Sequence, residues 1–301
     1  MYTIWLWVTF LFLSRHLPLI DKGYLGLSVM RFEVCLVALL SASLVVGFLP
    51  KTASALEVSV HDFPPFVQKL PSGEVGGPFR IMIDDICREM KQTCSVKVVP
   101  NRRSKFQVEQ GEVDIGFPYG WTEKRSKIYY YSVPFMVSEY GLFVSFESKY
   151  EIQGIEDLQD FQVAAFTPSN TLLSLEGIRD KMVDESMTPL RIFKKSDANG
   201  QLVQMLASNR IDSYYSNKAL VEFRAKQFGV SGLRYAWSHK PVTYFAVFPK
   251  AHTDPNEVRR FNQAALKIFS QKGYLSEVLS PWSIDSPDLS GSTLDKFKVL
   301  R

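Results

Sequence analysis

The chain has 301 residues, 46% hydrophobic and 22% charged, the balance of a folded protein long enough for two ordinary domains. Lysine and arginine number 35 against 31 acids, a formal charge of +4, and no basic run is interleaved with aromatics, so a nucleic-acid groove is excluded. H-E-x-x-H, G-x-S-x-G, C-x-x-C and a phosphate-cradling glycine loop are absent, so no metal, cofactor or catalytic role is expected.

Residues 1–55 read as a leader rather than as fold. Val34–Leu49 is apolar, preceded by Arg31 and followed by Ala53-Ser-Ala55, the pattern of a secretory signal peptide cleaved after Ala55. Met30, just before Arg31, is an alternative start. The run Trp5–Leu13 is about half of the roughly 20 residues needed to span a bilayer, so a membrane anchor is the weaker reading. Cys35 lacks lipid-attachment neighbours and belongs to the leader. A mature chain from Leu56 carries 31 basic and 29 acidic residues and is expected in the periplasm.

Leu56–Val60 reads as a strand, followed by the proline-stiffened aromatic loop His61–Phe66 and a turn at Gly73–Pro78. Ile81–Met90 has Ile83, Ile86 and Met90 at helical spacing. Cys87 and Cys94 remain after export, and their spacing suggests a disulfide worth roughly 2–3 kcal/mol, with two free thiols as the alternative. Ser95–Val99 is a strand, Ser104–Gln110 a helix, and Val113, Ile115 and Phe117 alternate as a third strand ended by Pro118 and Gly120. Arg125 follows, with Thr122 three positions before it. A guanidinium at an open strand end can grip a carboxylate with two parallel hydrogen bonds.

A second block repeats the pattern after the strand Tyr140–Ser145. Ile155–Leu158 opens a short helix, Phe161–Phe166 is a buried strand, and Thr167 and Pro168 suit the cap and first position of the next helix. Leu190–Phe193 is a strand, Asn199–Asn209 a helix, and Arg210–Tyr215 the next strand. Val242–Phe248 returns as a crossing strand. Glu257–Lys272 is a helix stopped at Gly273, and Tyr274–Leu279 is a last short helix. This predicts α/β architecture: lobe 1 from 56–139 with 243–284, lobe 2 from 140–242, and a polar tail at 285–301.

Gly111, Asp114, Thr122-Glu-Lys-Arg125 and Tyr131-Ser-Val-Pro-Phe135 together resemble the G-x-x-D … T-x-x-R … F-S-x-P-Y signature of extracytoplasmic solute-binding proteins, family 3, which serve polar amino acids in ABC transporters. The segment from Gln271 to Trp282 is similar to that family's closing motif. The resemblance implies a two-lobed periplasmic-binding-protein-like fold of type 2, with two parallel-sheet lobes joined by two crossing strands and ligand held between them. It assigns Arg125 to the ligand's α-carboxylate, with Ser169 and Asn170 at the second-lobe helix start. Phe63 stands where the family has a tyrosine. Arg210-Ile-Asp212 matches the G-R-x-D core, which puts Asn217 where the family has an aspartate for the ammonium. The lysine/arginine/ornithine- and histidine-binding members also imply a Cys87–Cys94 disulfide.

Tyr119 and Trp121 could add aromatic walls, and Gly120 would let main chain approach a ligand. His61, beside the expected cleft, reads as a loop histidine rather than a general base. The expectation is a monomer that binds a small carboxylate-bearing solute, a polar amino acid or a close relative, and delivers it to an inner-membrane permease. Alternatives are a sensor feeding a receptor and a dehydratase of the same fold.

Overall fold

In a computed structural model, residues 55–196 and 200–301 are described; the expected leader, apart from Ala55, lies outside them. Nine of the strands form one sheet, and two more form a separate hairpin. Parallel pairing joins β1 (Leu56–Val60) to β4 (Cys94–Val98) on one side and to β5 (Ile115–Gly120) on the other. A second parallel set joins β10 (Ser213–Asn217) to β8 (Gln162–Phe166) and β8 to β9 (Arg191–Lys195). Between these halves run β7 (Met136–Ser145) and the 17-residue β11 (Leu233–Pro249), paired antiparallel to each other. The sheet order is β4-β1-β5-β11-β7-β10-β8-β9, with β6 (Tyr129–Tyr131) beside β11. The two parallel blocks are therefore present as expected, but the crossing strands fuse them into one continuous sheet.

Each half buries its strands under helices. A short hairpin of β2 (Gln68–Lys69) and β3 (Val75–Gly76) leads into α1 (Pro78–Glu89). Helix α1 begins three residues before the expected helix, because Pro78 suits a first helical position and Gly77 has φ of 98°. It buries Phe79, Met82, Ile83 and Ile86, and the Phe79 ring stacks on Phe117 at 3.7 Å. Cys87 and Cys94 are disulfide-bonded, with Cα atoms 6.1 Å apart, tying the end of α1 to the start of β4.

Helix α2 (Asn101–Glu109) follows β4, and the one-turn α3 (Glu123–Ser126) follows β5. Strand β5 continues through Pro118 to Gly120, beyond the expected stop. Its ladder with β11 shifts register between Phe245 and Val247, an irregularity that accommodates a residue without an N–H. In the second half lie α4 (Asn170–Asp184), α5 (Gln201–Ala207) and α6 (Lys218–Gln227). The last of these was not foreseen.

Helices α7 (Pro255–Phe269), α8 (Tyr274–Leu279) and α9 (Gly291–Lys296) return to the first half. Residues 285–301 do not trail as a polar tail. Leu294 and Val299 are buried, the Phe297 ring meets Phe245 at 4.9 Å, and the Leu300 carbonyl accepts from Asn262 at 2.7 Å. No helix among the described residues is long and apolar enough to cross a membrane.

Candidate functional site

A cleft of about 750 Å³ opens between the two halves of the sheet. Its walls are the segments that follow the carboxyl ends of the parallel strands, where open α/β sheets leave a crevice. From the first half come the loop after β1, the start of α2 after β4, and the end of β5 with α3. From the second half come the start of α4 after β8, Ser196 after β9, and the junction of β10 with α6. Tyr140 and Tyr244, on the two crossing strands, complete the lining.

Arg125 lines this cleft, and the local sequence explains how it is held. Thr122 caps α3, its Oγ1 accepting the Arg125 backbone N–H at 3.2 Å. Arg125 Nη1 donates to the Gly120 carbonyl at 3.1 Å, and the guanidinium sits 5.3 Å from the centre of the Tyr119 ring. No acidic side chain pairs with it among the described residues. The spacing T-x-x-R thus places a cap and the residue it positions in one turn.

Tyr119 and Trp121 are not aromatic walls. Tyr119 is buried away from the cleft, its ring edge-on to Tyr129 at 5.4 Å, where it serves as a platform for Arg125. Trp121 packs on Phe297 at 6.0 Å. The reason is strand alternation: side chains at 119 and 121 share one face of the chain. Gly120 does line the cleft, and a Cβ there would lie 3.3 Å from the Asn170 side-chain nitrogen across it.

Phe63 lines the cleft, held between a stacking contact to Phe66 at 5.1 Å and an edge contact to Tyr244 at 5.5 Å. Ser169, rather than Thr167, caps α4. Its hydroxyl accepts from the Leu172 N–H and donates to the Phe166 carbonyl, so the first-turn backbone N–H groups are what this helix start can offer an anion.

Asn217 lines the cleft, but its amide oxygen is committed. Its Oδ1 accepts from the Leu220 N–H at 3.1 Å, as the cap of α6, and from the Ser138 hydroxyl at 3.1 Å; its Nδ2 donates to the Tyr244 hydroxyl at 3.0 Å. Both lone pairs of the amide oxygen are spent. Asp212, the acid of the Arg210-Ile-Asp212 match, accepts from the Gln162 N–H and lies outside the cleft lining. Asp84 and Asp85 also lie outside it, paired with Arg80 and Arg88 on the surface of α1.

Several cleft residues carried no sequence motif. Lys105, one turn into α2, is half-buried; burial first, then the Arg125 charge, hold its pKa below the ordinary lysine value. His61 is pushed down to about 3, mainly by burial and then by Lys105 and Arg125, so it is neutral at pH 7. Arg224 of α6 reaches across the cleft to Asp62 at 2.9 Å, and Asn101 Nδ2 donates to the Pro168 carbonyl at 3.3 Å. Recognising Arg224 required α6, and the Asn-Lys pair opening that helix is a weak start signal.

No family model matches the chain, and no curated protein matches it. Solved structures share its fold. A histidine kinase sensor domain with similarity to periplasmic binding proteins superposes with a TM-score of 0.67 at 16% identity, covering 78% of this chain and 99% of its own. An ancestral arginine-binding protein bound to arginine gives 0.64 at 19% identity, covering 76% and 97%. The GluR0 ligand-binding core in complex with L-glutamate gives 0.62 at 15%, covering 77% and 99%. The chain thus has the two-lobed periplasmic-binding-protein-like fold, which it shares with amino-acid ABC-transporter proteins.

Proposed function

We propose that the chain is an extracytoplasmic solute-binding protein resembling family 3, exported by a leader cleaved near Ala55. It captures a small carboxylate-bearing solute between lobe 1 (56–139 with 243–284) and lobe 2 (140–242). The observation that carries this reading is Arg125: a guanidinium without an acidic partner among the described residues, facing a 750 Å³ cleft and fixed by Thr122, Gly120 and Tyr119. The solute's carboxylate sits on Arg125 and is shared with backbone N–H groups at the start of α4. Phe63 covers its apolar part. The protein acts as a monomer and turns nothing over; it hands the solute to an inner-membrane ABC permease.

A charge-assisted hydrogen bond contributes about 1.5–3 kcal/mol, so Arg125→Ala should weaken binding at least ten-fold while the melting temperature of the free protein stays near the parent's. Isothermal titration against the best hit of a thermal-shift screen of amino acids, opines and small organic acids measures this. Equal affinity in the variant would refute the site. Mass spectrometry of the incubated ligand checks for turnover.

A second reading, a sensor that presents ligand to a membrane receptor, is favoured by the likeness to a histidine kinase sensor domain. Deleting the gene separates the two: transport predicts loss of solute uptake, sensing predicts loss of a response with uptake intact.

A further inference from the structure

The charge around the cleft is one-sided. Lys69, Arg102, Lys105, Arg125 and Arg224 line it, whereas Asp62 is the one carboxylate among the described lining residues. Asp62 is already engaged, accepting from Arg224 at 2.9 Å and from the Lys69 backbone N–H at 3.1 Å. Neither Lys105 nor Arg125 has a carboxylate within ion-pair distance among the described residues. The nearest acid on the helix of Lys105, Glu109, accepts instead from the Tyr129 hydroxyl at 3.1 Å. Two like charges facing one cavity repel each other until an anion enters.

Among the described lining residues no free carboxylate is left for an α-ammonium. Asn217, at the position the resemblance assigns to it, has both oxygen lone pairs occupied and is completely buried. Asn101 Oδ1 is an unpaired acceptor, but it is neutral and closed to solvent. An ammonium brought beside Lys105 and Arg125 would add a third positive charge and lose its hydration without replacement.

Resting on the reading of Arg125 as a carboxylate holder, we infer that the solute is a small dicarboxylate with no ammonium group, one carboxylate on Arg125 and the other on Lys105. His61, which lines the same cleft, adds a ring N–H donor and no acidic group. Specificity against amino acids then comes from the missing acceptor as much as from the added cation.

Isothermal titration of the mature protein against matched pairs tests this: succinate with aspartate, glutarate with glutamate, and propionate as the single-carboxylate control. Each dicarboxylate should bind at least about ten-fold more tightly than its amino acid, and Lys105→Gln should remove most of its advantage over propionate while Lys105→Arg restores it. If the amino acids bind as tightly as the dicarboxylates and Arg125→Ala abolishes that binding, the inference falls and the carboxylate-holding reading survives. If dicarboxylate affinity is unchanged in Lys105→Gln, the two-cation site is wrong. If nothing binds up to about 10 mM, both fall.

Discussion

Arg125 and Asn217 show how much a single residue can say before its neighbours are known. The arginine could be singled out because Gly111, Asp114, Thr122-x-x-Arg125 and Tyr131–Phe135 together resemble a family signature; that Thr122 caps its helix came only with the structure. Asn217 could be found by counting along the motif, but its chemistry could not, since the partners that occupy it come from β7, β11 and its own helix. Lys105 and Arg102 were invisible because a cation on a helix usually faces solvent; only the crevice after β4 brings them to the cleft. The histidines carry a prediction at this scale. Burial, then nearby cations, depress His61 to about 3 and His239 to about 4, from an ordinary value of 6.5. Below 6.5 the unfolded chain takes up protons that the folded chain refuses, so stability is fully present above that pH and declines towards the folded values. Melting temperature should therefore be flat above about pH 6.5 and fall on acidification, and His61→Gln with His239→Gln should flatten the fall. An unchanged slope in the double variant would assign the acid sensitivity elsewhere.

At the scale of elements, period and punctuation carried the sequence reading a long way. Alternation marked β5, short strand-like runs marked β1 and β4, a buried apolar run marked β8, and the apolar stripe of α7 was plain. Misreadings occurred where tertiary pairing overrides local signals. Pro118 ends a strand in isolation, yet β5 continues because it carries an extra residue there, Phe117 and Pro118 together facing Ala246 of β11 across the register shift. Residues 285–301 are polar on average, and the few apolar ones that dock on the core lack a period to announce them. The disulfide is an element-scale device: it closes the connection from α1 to β4, remote from the cleft lining. Constraining so short a loop stabilises by about 2–3 kcal/mol in the chain-entropy treatment. Reduction, or Cys87→Ser with Cys94→Ser, should lower unfolding free energy by about that amount in urea titrations and leave ligand affinity within about two-fold. A loss of affinity larger than the loss of stability would mean that the bridge shapes the cleft.

For the whole molecule, the decisive feature is that, among the described residues, two side-chain contacts span the mouth of the cleft at the level of α2, α4 and α6. These are Asp62 with Arg224, and Asn101 with the Pro168 carbonyl. The crossing strands that would flex are irregular where they meet, with register shifts between Tyr235 and Trp237 and between Ser238 and Lys240. Hinge closure needs such positions to absorb backbone rotation. Arg224 is 14% exposed and Asp62 39%, so screening limits their ion pair to roughly 1 kcal/mol. That is a minor term for folding but about a five-fold change in an open–closed equilibrium. Asp62→Asn should therefore leave the melting temperature nearly unchanged, raise the radius of gyration of the ligand-free protein in solution scattering, and weaken binding by up to about five-fold. The ligand-saturated variant should return to the parent's radius, since bound solute supplies the bridge between the halves. Identical scattering curves for free parent and variant, together with equal affinity, would show that this ion pair does not hold the halves together. Opening would then have to be controlled by the crossing strands alone.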